Sequence, residues 1–307
     1  MAGMTNTFEI TPQGPFSLAE AAMFGFGHRH ETRFDGVMRL AMCLDDFSTQ
    51  VGVELRQPGR SVHATVVGSG EPEVVRRQVA RMLSLDHDAR DFLAVGQRDP
   101  AIGELQATAP GLRPPLFASP YEAAIWAVIS SRRAAKQATI VRDRLGAQHG
   151  RILPVAGQDT AALPTPSQLL RVNQVPGLPA PRVPWLHGIA RAALDGQLDA
   201  AELAALDPLI ALRRLRSLAG IGPFYAELIL LRACGVTDVL PANEPRVLAL
   251  AGELYGLDRP MTVEEFADRA EAWRPWRTWT TVLIRAVTRR RPAQSTVSAP
   301  TLATAQP

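Results

Sequence analysis

Two glycines two apart, Gly220 and Gly222, flank Ile221 between runs that read as helices, with Leu212 and Leu215 before them and Leu228, Ile229 and Leu231 after. Glycines at that spacing let the chain turn sharply and bring bare backbone N–H groups to the surface. They do so at the start of a helix, whose dipole attracts anions. The chemistry on offer is phosphate binding. Ile221 is expected to point inward and pin the two helices, and Gly222-Pro223 to start the second. A tight helix–helix connection is the plainer reading of the same turn. Glu244, directly before Pro245 at a helix start, reads as a cap or dipole partner, and Asn243 as an N-cap. Arg132, Arg133, Lys136, Arg142 and Arg144 form either a phosphate contact or a solvated helix face, and Arg289-Arg290-Arg291 reads the same two ways. Trp273, Trp276 and Trp279 sit three apart and are costly to expose, so such a cluster is mostly core. His28, His30 and His187 make no metal set, and two cysteines, Cys43 and Cys234, are too few for a disulfide framework or a four-cysteine site. No metal or cofactor is expected, and both cysteines read as reduced core residues.

The elements that must position these residues can be outlined. A chain of 307 residues, 46% of them hydrophobic, is long enough to bury a large core. Basic residues number 33 against 30 acidic ones, with a pI near 9.3, and Lys136 is the only lysine. An arginine-dominated set suits bidentate phosphate contacts, which makes nucleic acid a possible partner. No run of about eighteen apolar residues occurs, and the N-terminus lacks the basic and apolar regions of a signal peptide, so a cytoplasmic protein with no membrane contact is expected.

Residues 37–44, 50–55 and 61–67 alternate as strands do, and residues 72–85 carry Val74, Val75, Val79, Met82 and Leu83 at helical spacing. Gly111-Leu112-Arg113-Pro114-Pro115 breaks the pattern. From Ser119 onward the chain reads as helices, with starts at Ser119-Pro120, Thr165-Pro166, Asp207-Pro208 and Thr262-Val263-Glu264-Glu265. The expected organisation is an N-terminal α+β domain over residues 1–113, a small antiparallel sheet with helices, then an all-α domain over 114–291. A disordered tail over 292–307 completes it.

Residues 218–241, from Leu218 through the hairpin to Pro241, together with Trp273-Arg274-Pro275-Trp276-Arg277-Thr278-Trp279, resemble the DNA-3-methyladenine glycosylase II family. Gly111-Leu112-Arg113-Pro114, the helical region 119–150, Pro164-Thr165-Pro166 and residues 190–196 follow in the family's order, so the resemblance spans roughly residues 83–288. It implies a mostly α-helical helix-hairpin-helix glycosylase core that bends duplex DNA, flips a damaged base and hydrolyses its N-glycosidic bond. A carboxylate would stabilise the positive charge that develops on the sugar.

Carried over residue by residue, the family's essential aspartate falls at Glu244, which keeps the charge and adds one methylene, roughly 1.5 Å. Asp238, in the loop before it, reads as structural. Family members that cut the strand form a Schiff base with a hairpin lysine; Phe224 stands there, so a monofunctional enzyme is implied. Phe224 and Tyr225 would wall a base pocket, with Trp279 a further candidate. Arg285 replaces a family aromatic. Leu218, Gly220, Ile221 and Gly222 would contact DNA, as would Ser131, Arg132 and Arg133, where the family carries a glutamine and an apolar wedge. The implied partner is duplex DNA with a damaged base, bound by a monomer, and the implied lesions are alkylated purines of the 3-methyladenine type. A non-catalytic DNA-damage or DNA-structure binder and a glycosylase for another base are the alternatives. DNA binding should depend strongly on salt and little on sequence.

Overall fold

The computed structural model describes residues 6–24, 34–241 and 244–288. His28, His30, Asn243, Arg289-Arg290-Arg291 and the expected tail lie outside them.

The chain opens with β1 (Asn6–Ile10) and α1 (Leu18–Phe24). β2 (Met38–Cys43) and β3 (Gln50–Arg56) then pair antiparallel across a turn in which Asp46 Oδ1 accepts from Ser48 and Thr49 N–H at 2.8 and 2.9 Å. With β4 (Val62–Val67) they form a sheet of order β1-β4-β3-β2, antiparallel throughout. The three expected strands are present and β1 joins them at the edge. Val75, Val79 and Met82 of α2 (Pro72–Met82) pack on one face with Met38, Leu40, Val51 and Val53.

The short helices α3 (Leu93–Arg98) and α4 (Pro100–Thr108) follow, then α5 (Pro120–Ser130) and α6 (Ala135–His149). Ser119 Oγ caps α5 by accepting from Glu122 N–H at 3.2 Å. The stretch expected to be wholly helical then contains a β-hairpin, β5 (Arg151–Val155) and β6 (Gln158–Ala162), turning through Ala156 and Gly157, both at positive φ. Leu153, Val155 and Ala162 cover the outer face of the sheet against Ala41 and Val67. A Cβ on Gly52, paired with Ala41, would lie 2.5 Å from Val155 Cγ2, so two small residues make room for this lid.

α7 (Pro166–Leu169), α8 (Val183–Leu194), α9 (Ala200–Ala205), α10 (Pro208–Arg216) and α11 (Pro223–Ala233) come next. Thr165 caps α7 in a capping box and Asp207 caps α10. α5, buried along ten residues, is the axis on which α8 and α11 pack.

A further cluster joins α3 and α4 to α12 (Pro245–Leu254), α13 (Val263–Ala270) and α14 (Arg277–Val287). Buried Asp99 ties it: its Oδ2 accepts from Tyr255 OH at 2.6 Å and Trp273 Nε1 at 3.0 Å. Helices before residue 113 thus share a core with the last helices of the described chain. Arg113, 1% exposed, fastens this crossing by donating to the carbonyls of Ser84, His87, Pro15 and Gln13. The fold class is a four-stranded antiparallel sheet with helices, followed by a mostly helical hairpin-containing core.

Candidate nucleic-acid interface and active site

The hairpin turn joins α10 to α11. Gly220 has φ +85, and a Cβ there would meet Trp185 at 2.7 Å, so the turn demands glycine twice over. Ile221 is buried against the core that holds both helices, and Leu218 packs beside it half-buried. Gly222 differs: its φ is −83, it is exposed, and a Cβ would meet nothing within 4 Å. Nothing in the chain itself requires glycine there, which suits close approach by an outside group to the start of α11.

Five residues of α11, Phe224, Glu227, Leu228, Leu231 and Arg232, fall at spacings of 3, 4, 7 and 8 and share one face. Thr278, Thr281, Val282 and Arg285 do the same on α14. The two faces enclose a recess of about 50 Å³, which Pro241 and Glu244 also line. Phe224, Leu228, Arg232 and Arg285 are shared with a larger cleft of about 590 Å³, bounded further by Phe24, Phe117, Trp126, Ser130, Arg133, Tyr225 and Arg246. That volume is of the size that holds a small organic ligand.

Glu244 opens α12, yet its side chain makes no capping hydrogen bond. Instead its Oε1 accepts from Arg285 Nη1 at 2.7 Å, with the two side chains 14% and 34% exposed. Two of the positions that depart from the family pattern, 41 residues apart, are therefore joined to each other. Burial lowers the buried Arg232 guanidinium to about 9, helped by repulsion from Arg285 and opposed by Glu244. It is held by Pro115 O, to which Nε donates at 3.1 Å. Partial burial raises the Glu227 carboxyl, and the neighbouring Glu244 raises it further.

On the facing wall, Ser130 Oγ and Tyr225 OH lie 3.0 Å apart and join the end of α5 to the start of α11. The chain then turns through Ser131 and an exposed Arg132 at φ +54. Arg133 Nη2 donates to Gly177 O at 2.8 Å while its buried Nη1 has no partner among the described residues. Phe224 is 49% exposed and stacks edge-on against Tyr225 with centroids 5.2 Å apart, so it is not core packing. The fold thus brings Glu244, Phe224 and Arg285 to the recess, and Phe224, Tyr225, Arg285 and Arg133 to the adjoining cleft, while Ser131, Arg132 and the hairpin turn are not among the residues that line either.

No protein-family model matches the chain. The probable bifunctional transcriptional activator/DNA repair enzyme AlkA of Mycobacterium tuberculosis is 31% identical over 207 residues, which is 66% of this chain and 40% of that protein. The chain is similar as well to the DNA-3-methyladenine glycosylase 2 of Escherichia coli, 26% identical over 183 residues, 58% of this chain and 61% of that protein. The chain spans about two fifths of the length of the mycobacterial relative. A 3-methyladenine DNA-glycosylase from Archaeoglobus fulgidus superposes with a TM-score of 0.74 at 22% identity, over 92% of this chain and 98% of that one. The 8-oxoguanine glycosylase/lyase of Clostridium acetobutylicum in its apo-form does so with 0.71 at 16% identity, over 92% and 96%. These two are likenesses of fold.

One residue expected at the pocket lies elsewhere. Trp279 is 2% exposed and lies among His87, Phe92 and Trp276, on the face of α14 that carries Leu283 and Val287 into the core. The cleft-facing stripe begins one residue earlier, at Thr278, and a step of one residue rotates a side chain about 100° around a helix. Arg142 is no part of a solvated basic face either: it is buried beside Glu122, 3.9 Å away. Asp238 is structural, accepting from Arg274 and Arg277 at 2.7 Å each. His187 Nε2 lies 2.8 Å from Val172 O. Cys43 and Cys234 are free and buried. No helix among the described residues is long and apolar enough to cross a membrane.

Sequence reasoning passed over Glu227, Arg232, Arg246 and Trp126. The signal for the first two was present, because counting 3 and 8 from Phe224 along α11 reaches both.

Proposed function

We propose that this protein is a monofunctional DNA glycosylase that everts a damaged base from duplex DNA into the cleft and hydrolyses its N-glycosidic bond. The observation that supports the reading is that the exposed Phe224 and Arg285 line both the cleft and the recess that holds the Glu244 carboxylate, with the hairpin turn at the start of the helix that carries Phe224. The hairpin turn and Arg132 hold phosphates beside the flipped nucleotide. As the C1′–N bond breaks, its electron pair leaves with the base, and Glu244 stabilises the positive charge on the sugar. Water adds to C1′, and its proton passes to Glu244 or solvent as the base takes up one of its own. With Phe224 in the hairpin and the single lysine at Lys136 on α6, strand cleavage through a Schiff base has no amine in the cleft.

Alkylated purines of the 3-methyladenine type are the substrate that the similarity to DNA-3-methyladenine glycosylases supports. A second reading, a neutral base bearing carbonyl acceptors, is favoured by Arg133, Arg232, Arg246 and Arg285 around the cleft. Four guanidinium groups repel a cationic alkylated base and donate well to a carbonyl. Incubation of the protein with methylated duplex, and with duplexes carrying single hypoxanthine or 8-oxoguanine, separates the readings by which base is freed. Salt-sensitive binding with no base released would leave a damage-binding protein.

A further inference from the structure

Glu244 puts its carboxylate on a longer tether than the family's aspartate, and a glutamate side chain with three rotatable bonds has more orientations to lose. Its backbone is constrained on one side by Pro245, which does nothing for the carboxylate itself. The one hydrogen bond that the carboxylate receives from the described residues comes from Arg285 Nη1, at 2.7 Å to Oε1. Oε2 accepts none among them. One oxygen is anchored and the other left for the reacting sugar or water.

Arg285 is placed for this by α14, on the same stripe as Thr278, Thr281 and Val282. It lines both the recess and the larger cleft. The buried Arg232 lines the same two spaces, and its affinity for its proton is lowered by burial first and by repulsion from Arg285 second. That repulsion disfavours Arg285 swinging inward and leaves the carboxylate as its best partner. Glu227, the other acid of the recess, has no hydrogen bond or ion pair among the described residues.

We propose, resting on the glycosylase reading, that Arg285 is the positioning residue for Glu244. It restores by a hydrogen bond the placement that the shorter aspartate obtains from its length. The arrangement carries a built-in cost, since a guanidinium beside the carboxylate also opposes positive charge on the sugar. Positioning and neutralisation therefore predict opposite signs when the arginine is removed.

The test is base release under single turnover from whichever of the methylated, hypoxanthine and 8-oxoguanine duplexes the wild type processes, with DNA affinity and thermal stability measured in parallel. Arg285→Met should slow the step at saturating protein by about tenfold or more while DNA affinity stays within about twofold, because only the carboxylate's placement is lost. Arg285→Lys should recover part of the rate, as a point charge without the planar fork. In a Glu244→Asp background, whose carboxylate falls short of the guanidinium, Arg285→Met should have little further effect. A wild-type or faster rate in Arg285→Met, or a loss confined to DNA affinity, overturns the proposal alone. Failure of the wild type on all three duplexes overturns the glycosylase reading and this proposal with it.

Discussion

The recess holds two acids in different circumstances. Glu244 has Arg285; Glu227 has no ionic or hydrogen-bonding partner among the described residues, and burial and its neighbour raise it above the usual carboxylate range. The folded protein binds the Glu227 proton more tightly than the unfolded chain does. This group's contribution therefore favours folding at low pH and is lost as pH rises through the raised folded value. Glu227→Gln should then raise the melting temperature near pH 7 and change it little near pH 3, where both states are protonated. An equal shift at both pH values would show that the carboxyl's ionisation is not what strains the site. Retaining an acid that costs stability in a cleft is the pattern expected of a functional group. At this scale the resemblance singled out Phe224 and Glu244, and both line the recess. The sequence was not legible for Arg285's bond to Glu244, because which charges meet across 41 residues is decided by how α12 and α14 pack.

In the proposed reading the hairpin carries the DNA contact, and its two glycines separate folding from binding. Gly220→Ala must place a side chain at φ +85 against Trp185, and should cost about 1–2 kcal/mol of stability or more. Gly222→Ala meets only open space at an ordinary φ and should stay within about 0.5 kcal/mol of wild type. If phosphate approaches that N-terminus, the same change should weaken DNA binding by about tenfold, roughly 1.4 kcal/mol. Thermal melts and DNA titrations of the two variants check both halves. Unchanged affinity in Gly222→Ala would remove the hairpin from the interface.

Caps and prolines made most helix starts readable, as Ser119, Thr165, Asp207 and Thr262 show. The β5–β6 hairpin escaped notice. Its strands are five residues each and Pro154 interrupts one, so their alternation is faint, and their apolar face makes sense only against the sheet that they cover.

At the scale of the molecule, the cleft lies where two helical clusters meet, one built on α5 and α11, the other on α12 and α14 with α3 and α4 behind them. The linear pattern break near residue 113 is real in the chain but does not divide these cores, since Asp99 reaches Tyr255 and Trp273 from before it. Asp99→Ala would leave a buried hydroxyl and indole N–H without their acceptor and should cost about 2–4 kcal/mol, read as a fall in the denaturation midpoint. A loss below about 0.5 kcal/mol would mean that water satisfies both groups and that the link is incidental.

The proposed hydrolysis depends on one role above all, that of the Glu244 carboxylate at the recess. Base release under single turnover should be compared for wild type and Glu244→Gln, which removes the charge at nearly constant shape, on a lesion duplex that both bind equally. That role predicts release by the wild type and a fall of at least about a hundredfold in the variant. Equal rates in the two would contradict it.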